Sequence, residues 1–536
     1  MVRIRSELMS NSAEFLSRQA AMLAMVAEFR EAEAMICNTE EQAREKFLRR
    51  EKLLPRERIF RLLDPGSPFL ELMSLAGRKM HDDRDGSYAG GGIIAGIGYV
   101  EGKRVLVSAN NSAIKGGTIN PAGLHKSLRL LSIARENKLP IISLAESGGA
   151  NLNYATDIFV DGARTFANQA RMSAAGIPQV TVVFGNATAG GAYQPALADY
   201  TIMVKKKAKM FLAGPPLVLA AVGEETDDES LGGAELHCEE VGTGDYLAED
   251  DRDGIRLARQ ILKDLNWPSF APVSNQYEQP CYDAHDLLGI VPTDSRTPYD
   301  AREIIARITD GSEFNEFKPD YDHQTLCGFG HIMGAPCGVL GNNGPITPEG
   351  AAKATQFMQL CDQVGTPLVF LQNTTGFMVG TRSEKGGVIK QGAKMIQAVA
   401  NARVPKITIL IGGSYGAGNY AMCGRGLDPR FIFAWPNSKT AVMGGEQAGK
   451  VLRIVAEQKH AKIGLTPDPA MLDALEQSTA DKINEESTAL FGTAHLWDDG
   501  MIDPRDTRKV LGFSLNIALE ADSRLVKTNT YGIGRQ

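Results

Sequence analysis

Short apolar blocks, set between glycine-rich turns and amphipathic stretches, run along nearly the whole chain. Residues 10–55 carry apolar positions at helical spacing (Phe15, Met22, Met25, Val26, Phe29) and predict an amphipathic helical lead-in. Ile94–Tyr99 and Arg104–Ser108 read as strands joined by a hairpin turn at Val100–Lys103. Residues 121–138 predict a helix, with Pro121 at its start and Leu124, Leu128, Leu131 and Ala134 at core spacing. The strand Ile141–Leu144, a helix over Ala163–Ala175 and the strand Val180–Phe184 follow. This rhythm of strand and helix predicts parallel α/β structure, with ligands at the C-terminal strand ends.

The pattern then returns. Pro140 and Pro367, Pro178 and Pro405, Gly185 and Gly412, Gly191 and Gly418, and Tyr193 and Tyr420 are each 227 positions apart. Asn110-Asn111 and Asn342-Asn343 echo each other at a spacing five residues larger. Several coincidences at one offset argue for a duplicated domain. In the second copy, Gly328–Asn342 supplies short strands and Thr347–Cys361 a helix with Glu349 one position short of an ideal capping box. Leu368–Leu371, a helix over Gly387–Ala402 and the strand Ile407–Ile411 complete it. From about Gly449 the sequence is mostly helical and charged, and is expected to cap the second domain. The boundary falls in the proline-rich polar stretch Leu265–Thr297. The domains are thus a helical lead-in at 1–45, a first domain at 46–280 and a second at 281–536.

Composition narrows the classes. A net charge of -7 gives no support for nucleic-acid binding, and no apolar run is long enough to span a membrane. MVRIRSELMS lacks the apolar segment of a secretory signal, so a cytoplasmic, bacterial location is expected. Seven scattered cysteines read as reduced thiols without a CxxC pair for zinc, and eight histidines show no ligand spacing, so no metal site is expected. There is no GxGxxG before a helix and no Walker A sequence.

The candidate chemistry lies in the small-residue turns. Thr188-Ala189-Gly190-Gly191-Ala192 has almost no side-chain volume, so a ligand can approach the backbone and meet free N–H groups at a helix start. Such groups suit the oxygen of an enolate or tetrahedral intermediate. Gly416-Ala417-Gly418 repeats the arrangement, which suggests two carbonyl groups handled in one active site. The alternative for Gly190-Gly191 and Ala417-Gly418 is close helix packing. Gly148-Gly149 is either a third backbone feature of the site or a sharp turn. Arg44–Arg58 touches phosphates or is a solvated helix face, and Lys205–Lys207 contacts a nucleotide-like phosphate or is a solvated charge run. His125 sits on the polar flank of its helix.

Ser147-Gly148-Gly149-Ala150, Gly176-Ile177-Pro178-Gln179, Thr188–Tyr193, Phe211–Pro216, Leu231–Ala234, Asn373–Phe377 and Tyr415–Gly418 together resemble the carboxyltransferase β subunit of biotin-dependent acyl-CoA carboxylases. The resemblance spans about residues 45–520, with the 3-methylcrotonyl-CoA and geranyl-CoA carboxylases the nearest members. It implies two tandem crotonase-like (ββα superhelix) domains and an active site between the N domain of one subunit and the C domain of its neighbour. The N–H groups at Gly190-Gly191 would hold the enolate oxygen of acyl-CoA, with Gly148, Gly149, Gly162, Ala189 and Tyr193 about the substrate. Those at Ala417-Gly418 would hold the ureido oxygen of carboxybiotin, with Gly376, Phe377 and Gly416 beside it. Released CO2 is the electrophile, and biotin N1′ takes the α or, by vinylogy, the γ proton, so no side chain need act as base. With no biotinyl-lysine segment here, a partner α subunit would carry biotin and use ATP and Mg. The family assembles such subunits as α6β6 about a β6 core of dimers.

In 3-methylcrotonyl-CoA enzymes a phenylalanine just before the helix bearing an FNQANMS-type sequence floors the acyl pocket. Here Gly162 stands at that position, as in geranyl-CoA carboxylases, and Gly149–Phe166 lacks an acidic, proline-containing insertion. The resemblance therefore favours geranyl-CoA over 3-methylcrotonyl-CoA or another acyl-CoA. A crotonase-type hydratase or isomerase acting alone would instead need a carboxylate near Gly190. A non-catalytic assembly subunit would bind no acyl-CoA.

Overall fold

The computed structural model describes residues 2–269, 277–292, 294 and 297–534. The expected boundary stretch therefore lies partly outside the described residues, at 270–276, 293, 295 and 296. The chain forms two compact units. The N-terminal unit is Glu31–Ala271 with Ala494–Leu496 and Leu519–Gln536; the C-terminal unit is Pro272–Thr493 with Met1–Arg30 and Trp497–Ala518. The segment after Gly449 is thus not confined to capping the second half, because two of its pieces join the N-terminal unit. The helix Ala13–Glu41 buries Phe15, Met22, Val26 and Phe29, while Met25 is half-buried.

The strands of the N-terminal unit are β1 (Leu70–Glu71), β2 (Ile93–Val100), β3 (Lys103–Asn110), β4 (Ile141–Ser147), β5 (Gln179–Thr188), β6 (Tyr200–Val204), β7 (Lys209–Phe211) and β8 (Tyr246–Ala248). Their order is β1-β2-β3-β4-β5-β6-β8, with β7 against the end of β5. β1, β2 and β3 pair antiparallel; every later pairing is parallel. The β2–β3 turn has φ of 51° at Glu101 and 68° at Gly102, the two positive values that suit the twist of a two-residue hairpin.

The C-terminal unit carries β9 (Asn315–Glu316), β10 (Thr325–Ile332), β11 (Ala335–Asn342), β12 (Leu368–Thr374), β13 (Lys406–Tyr415), β14 (Phe431–Ala434) and β15 (Lys439–Ala441). Their order is β14-β13-β12-β11-β10-β9, with β15 on β13. Here too the β9–β10–β11 pairings are antiparallel and the rest parallel. Register repeats with the sequence: Ile141 pairs with Gln179 and, 227 positions on, Leu368 pairs with Lys406. The bridge Ile119–Ala150 returns as Ile346–Phe377. Asn120 caps the helix Pro121–Glu136 by accepting from Gly123 N–H, and Thr347 caps Pro348–Val364 by accepting from Gly350 N–H. The third helical residue being glycine, no side chain reaches back to complete a capping box.

Each sheet buries its own apolar core, one built on Val107, Ile142, Val182, Phe184 and Ile202, the other on Leu340, Phe357, Phe370 and Met395. One sequence expectation shifts at the helix Pro121–Glu136. Leu128 and Leu131 are only half-buried, whereas Leu130, Ile133 and Lys126 are fully covered. Lys126 turns inward because three carbonyl oxygens take its ammonium: Met73 at 3.0 Å, Gly90 at 3.3 Å and Ile93 at 2.6 Å.

Burial pulls Lys126 down to about 7. An unfolded lysine keeps its proton to about 10.4, so between those values the unfolded chain binds the extra proton and stability rises with pH, by up to about 1.4 kcal/mol per unit. Denaturation followed from pH 7 to 10 should show this rise in the wild type and lose it in Lys126→Met. An identical profile in both would contradict it.

Candidate active site

Both small-residue turns lie at the C-terminal ends of the longest strands. In the N-terminal unit β5 runs out at Thr188, and Ala189 turns the chain with φ 55° and ψ −125° into the helix Gly190–Ala196. That backbone is costly for a residue with a Cβ. It is pinned from both sides: Ala189 N–H donates to Phe211 O at 3.0 Å, and Ala189 O accepts from Ala192 N–H at 3.1 Å. Ala192 anchors the helix in a cluster with Val183, Ala187, Met203 and Met210. The N–H groups of Gly190 and Gly191 open the helix, where no carbonyl one turn back can accept from them. Gly190 is exposed and Gly191 half-exposed. A Cβ built on Gly191 would meet nothing within 4 Å, and one on Gly190 only Phe166 Cζ at 3.7 Å. Close helix packing therefore does not account for these glycines.

Phe166 stands edge-on to Tyr193, with ring centroids 6.0 Å apart, and forms one wall beside Gly190. It belongs to the helix Ala155–Ala174, which begins eight residues before the expected start because the turn Leu152–Tyr154, capped by Asn151, leads straight into it. Gly162 thus lies inside this helix, not ahead of it. It sits one turn before Phe166 on the same face, and a Cβ there would meet only Ile158 Cγ2, at 3.8 Å. Ile158, Gly162, Phe166 and Gln169 form one stripe, tied to the Gly190 helix where Gln169 Nε2 donates to Gln194 O at 2.6 Å.

Gly148-Gly149 forms a turn whose donors are already used. Gly148 N–H reaches Gly116 O at 3.3 Å, and Gly149 N–H reaches Ser147 Oγ at 3.1 Å. Gly149 needs its glycine, at φ 90°, and a Cβ there would stand 3.4 Å from Thr188 O. Gly376 repeats this turn with φ 112°, donating to Thr374 Oγ1 at 3.1 Å.

In the C-terminal unit β13 ends at Tyr415, and Gly416, with φ 54°, opens the helix Gly416–Ala421. Ala417 is exposed but Gly418 is buried, and a Cβ on Gly418 would stand 2.9 Å from Gly376 Cα and from Thr374 Cγ2. The glycine at 418 is therefore a packing requirement, unlike its counterpart at 191. Phe377 is half-buried, its ring packed over Gly392.

Sequence reading missed the side chains beneath the two turns. Glu146 and Asn373, 227 positions apart, each occupy a register shift at the end of the central parallel pair. Each fills the space a Cβ would need on Gly185 or Gly412, at 2.7 Å and 2.3 Å respectively. Glu146 is ion-paired with Lys52 and Arg58, both at 2.6 Å. Burial raises its pKa, but Arg58 and Lys52 outweigh that and hold it below the ordinary carboxylate value. Arg58 also stacks on Phe184 at 4.2 Å and meets Asp251 at 3.0 Å. Asn373 Oδ1 instead accepts from Gly413 N–H at 2.7 Å. Under the second turn Gln372 Nε2 donates to Asn419 O at 3.0 Å and Met422 O at 3.1 Å, and Asn419 Nδ2 donates to Ser414 Oγ at 2.6 Å. The positions 227 earlier are Ala145, Ala187 and Ala192.

Several of the remaining charged candidates are paired locally. Within Arg44–Arg58, Arg44 pairs with Glu57 at 2.7 Å and Arg56 with Glu71 at 2.7 Å. Lys205 pairs with Glu235 at 3.2 Å and Lys207 with Asp251 at 3.4 Å. His125 is exposed. Among the described residues no group of three or more His, Cys, Asp or Glu side chains is placed to hold a metal ion, and no helix is long and apolar enough to cross a membrane.

Two mixed sheets, each with a small-residue turn at the end of its longest strand, open helices with main-chain N–H groups of the kind that suit a carbonyl oxygen. Residues 46–530 match the carboxyl transferase domain. The P. aeruginosa geranyl-CoA carboxylase β subunit is 62% identical, with TM-score 0.94 and full coverage of both chains. A probable biotin-dependent acyl-coenzyme A carboxylase β2 subunit of Mycobacterium tuberculosis is 50% identical over 91% of each chain. The mitochondrial methylcrotonoyl-CoA carboxylase β chain of Dictyostelium discoideum is 47% identical over 95% of this chain and 87% of its own. The chain belongs to the carboxyl transferase family, as a carboxyltransferase component of the biotin-dependent acyl-CoA carboxylases.

The different surroundings of the paired glycines are directly testable. Gly191→Ala should fold with wild-type stability, whereas Gly418→Ala should lose about 1–3 kcal/mol in chemical denaturation. Equal losses would contradict the asymmetry.

Proposed function

We propose that this chain moves CO2 from carboxybiotin to a branched unsaturated acyl-CoA, geranyl-CoA in preference to 3-methylcrotonyl-CoA. The observation that carries the reading is the open stripe at Gly162, one helical turn from the wall beside Gly190. A side chain at 162 would fill that space, and its absence leaves length for a longer acyl chain. The likeness to the geranyl-CoA carboxylase subunit, at 62% identity, supports the same choice.

In this reading residues 46–280 carry the acyl-CoA side and 281–536 the biotin side, as copies of one crotonase-like domain, except that Ala494–Leu496 and Leu519–Gln536 belong to the N-terminal unit. The matching registers and capped helices 227 positions apart support that duplication. Gly190 and Gly191 N–H hold the thioester oxygen as it gains enolate charge, and a donor of this kind is worth roughly 3 kcal/mol. Ala189 fixes their direction, Tyr193 and Gly162 bound the acyl chain, and the Gly148-Gly149 turn serves as wall because its donors are used internally. Ala417 and Gly418 N–H face the ureido oxygen, with Gly376, Phe377 and Gly416 shaping that side. Biotin, carried on a partner α subunit that alone uses ATP and Mg, supplies the transferable carboxyl group. Assembly as α6β6 and a cytoplasmic bacterial setting complete the proposal.

A stand-alone hydratase or isomerase is disfavoured on chemical grounds. Glu146 lies under the turn, but Lys52 Nζ takes its Oε1 and Arg58 Nη1 its Oε2, each at 2.6 Å, so both oxygens are committed to cations and not to moving a proton of a ligand.

Bicarbonate fixation by this chain with its biotinylated partner and ATP should be faster on geranyl-CoA than on 3-methylcrotonyl-CoA. Gly162→Phe should lose the first activity by at least about tenfold, the scale of a filled apolar pocket, and keep part of the second. Equal loss on both would overturn the role of Gly162.

A further inference from the structure

Residues 519–536 come last in the chain yet belong to the N-terminal unit. Near their start Glu520 takes the guanidinium of Arg104 through two hydrogen bonds, at 2.8 and 2.6 Å. Arg524 is buried, donates to Asn137 O at 3.1 Å and Lys138 O at 3.2 Å, and accepts at its own carbonyl from Lys138 Nζ at 2.7 Å. Beyond this anchor the chain crosses the C-terminal end of the helix Ala155–Ala174, which carries Gly162 and Phe166. Asn529 N–H donates to Ala174 O at 2.7 Å, one of the carbonyls that a helix leaves unpaired in its last turn. Ile533 N–H donates to Ser173 Oγ at 3.0 Å. The crossing is close: a Cβ on Gly176 would stand 2.2 Å from Lys527 O, and one on Gly532 3.0 Å from Ser173 Cβ. Lys527, Asn529, Tyr531 and Ile533 are all exposed, so main-chain hydrogen bonds and not apolar burial hold the segment.

Ser173 passes this contact on. Its hydroxyl donates to Asp199 Oδ1, and Asp199 Oδ2 accepts from Gln179 N–H at 2.8 Å. Gln179 Nε2 donates to Gln169 O at 2.8 Å, and Gln169 Nε2 donates to Gln194 O at 2.6 Å, in the helix Gly190–Ala196. Apart from Ile158, the helix Ala155–Ala174 buries only Gln169, Met172 and Ser173, all in its last two turns. Its direction is therefore set at that end, and Gly162 lies about 16 Å further along the axis. A parallel sheet does not by itself require this path. The positions 227 after Gln169, Ser173, Gly176 and Asp199 hold Ile396, Ala400, Arg403 and Gly426.

We propose that residues 527–533 are a strap that positions the helix of Gly162 and Phe166, received by Ser173 and Asp199, and so sets the preference for a long acyl chain. The effect on substrate rests on the reading of Gly162 as the open length of the acyl site.

Ile533→Pro and Asn529→Pro each remove one N–H from an exposed segment. In each, hydrogen exchange at the amides of residues 163–174 should be about tenfold faster, the scale of one net hydrogen bond, with circular dichroism unchanged. In bicarbonate fixation with the biotinylated partner, KM for geranyl-CoA should rise by about tenfold, with kcat and the KM for 3-methylcrotonyl-CoA within about twofold of wild type. Ile533→Ala keeps the N–H and should restore both measurements. Ser173→Ala should reproduce the defect from the helix side, and combining it with Ile533→Pro should add little. Unaltered exchange in both proline variants, or equal losses on the two substrates, would overturn the strap. A wild type without preference for geranyl-CoA would overturn the reading of Gly162 and the effect on substrate, while faster exchange in the variants would still establish the strap.

Discussion

Main-chain N–H groups can stabilise a developing oxyanion only if they are kept free of other partners. In the proposed function, both small-residue turns of this chain serve that constraint. Folding normally pairs every buried amide, so free donors must sit where a helix begins and must be held at a surface. Two strands end in such turns, and at both the residue preceding the donors has a positive φ: Ala189 at 55° and Gly416 at 54°. At position 189 an alanine accepts this strained backbone, fixed by hydrogen bonds to Phe211 and Ala192. Strain is retained there because the surrounding sheet over-determines it.

The same geometry is supported by different chemistry in the two units. Beneath the first turn, a buried carboxylate is neutralised by Lys52 and Arg58, and small apolar side chains seat the helix. Beneath the second, an amide replaces the carboxylate, and Gln372, Ser414 and Asn419 make a hydrogen-bonded trio where the first has three alanines. Gly418 packs against Gly376, whereas Gly191 faces open space. Two turns with one backbone course are thus free to serve different ligands, the first roomy beside its donors and the second close-packed.

Much of this was legible in the sequence. Strand and helix rhythm, the hairpin at Glu101-Gly102 and the 227-residue offset all come from local patterns of apolar, small and turn-forming residues. What was not legible depends on distant partners. Lys126 looks like a surface lysine until the three carbonyls of Met73, Gly90 and Ile93 surround it. Glu146 reads as part of a turn until Lys52 and Arg58, 94 and 88 positions earlier, reach it. Gly162 was expected ahead of its helix, at the position the family resemblance gives it; the turn at Leu152–Tyr154 starts the helix earlier and carries the glycine inside. Gly191 and Gly418 read alike, and only the space around each Cβ separates the roomy turn from the close-packed one.

The central claim is that main-chain donors, and no side chain, stabilise the transferred charge at both turns. Proline is tolerated in the first turn of a helix, and in Gly191→Pro and Ala417→Pro it would follow a glycine while removing one N–H. The direct measurement is partner-free transfer of labelled CO2 between carboxylated acyl-CoA and free biotin by these variants. Each should be slower than wild type by about 10² to 10³-fold, with circular dichroism unchanged. Folded variants that retain the wild-type rate would contradict the account.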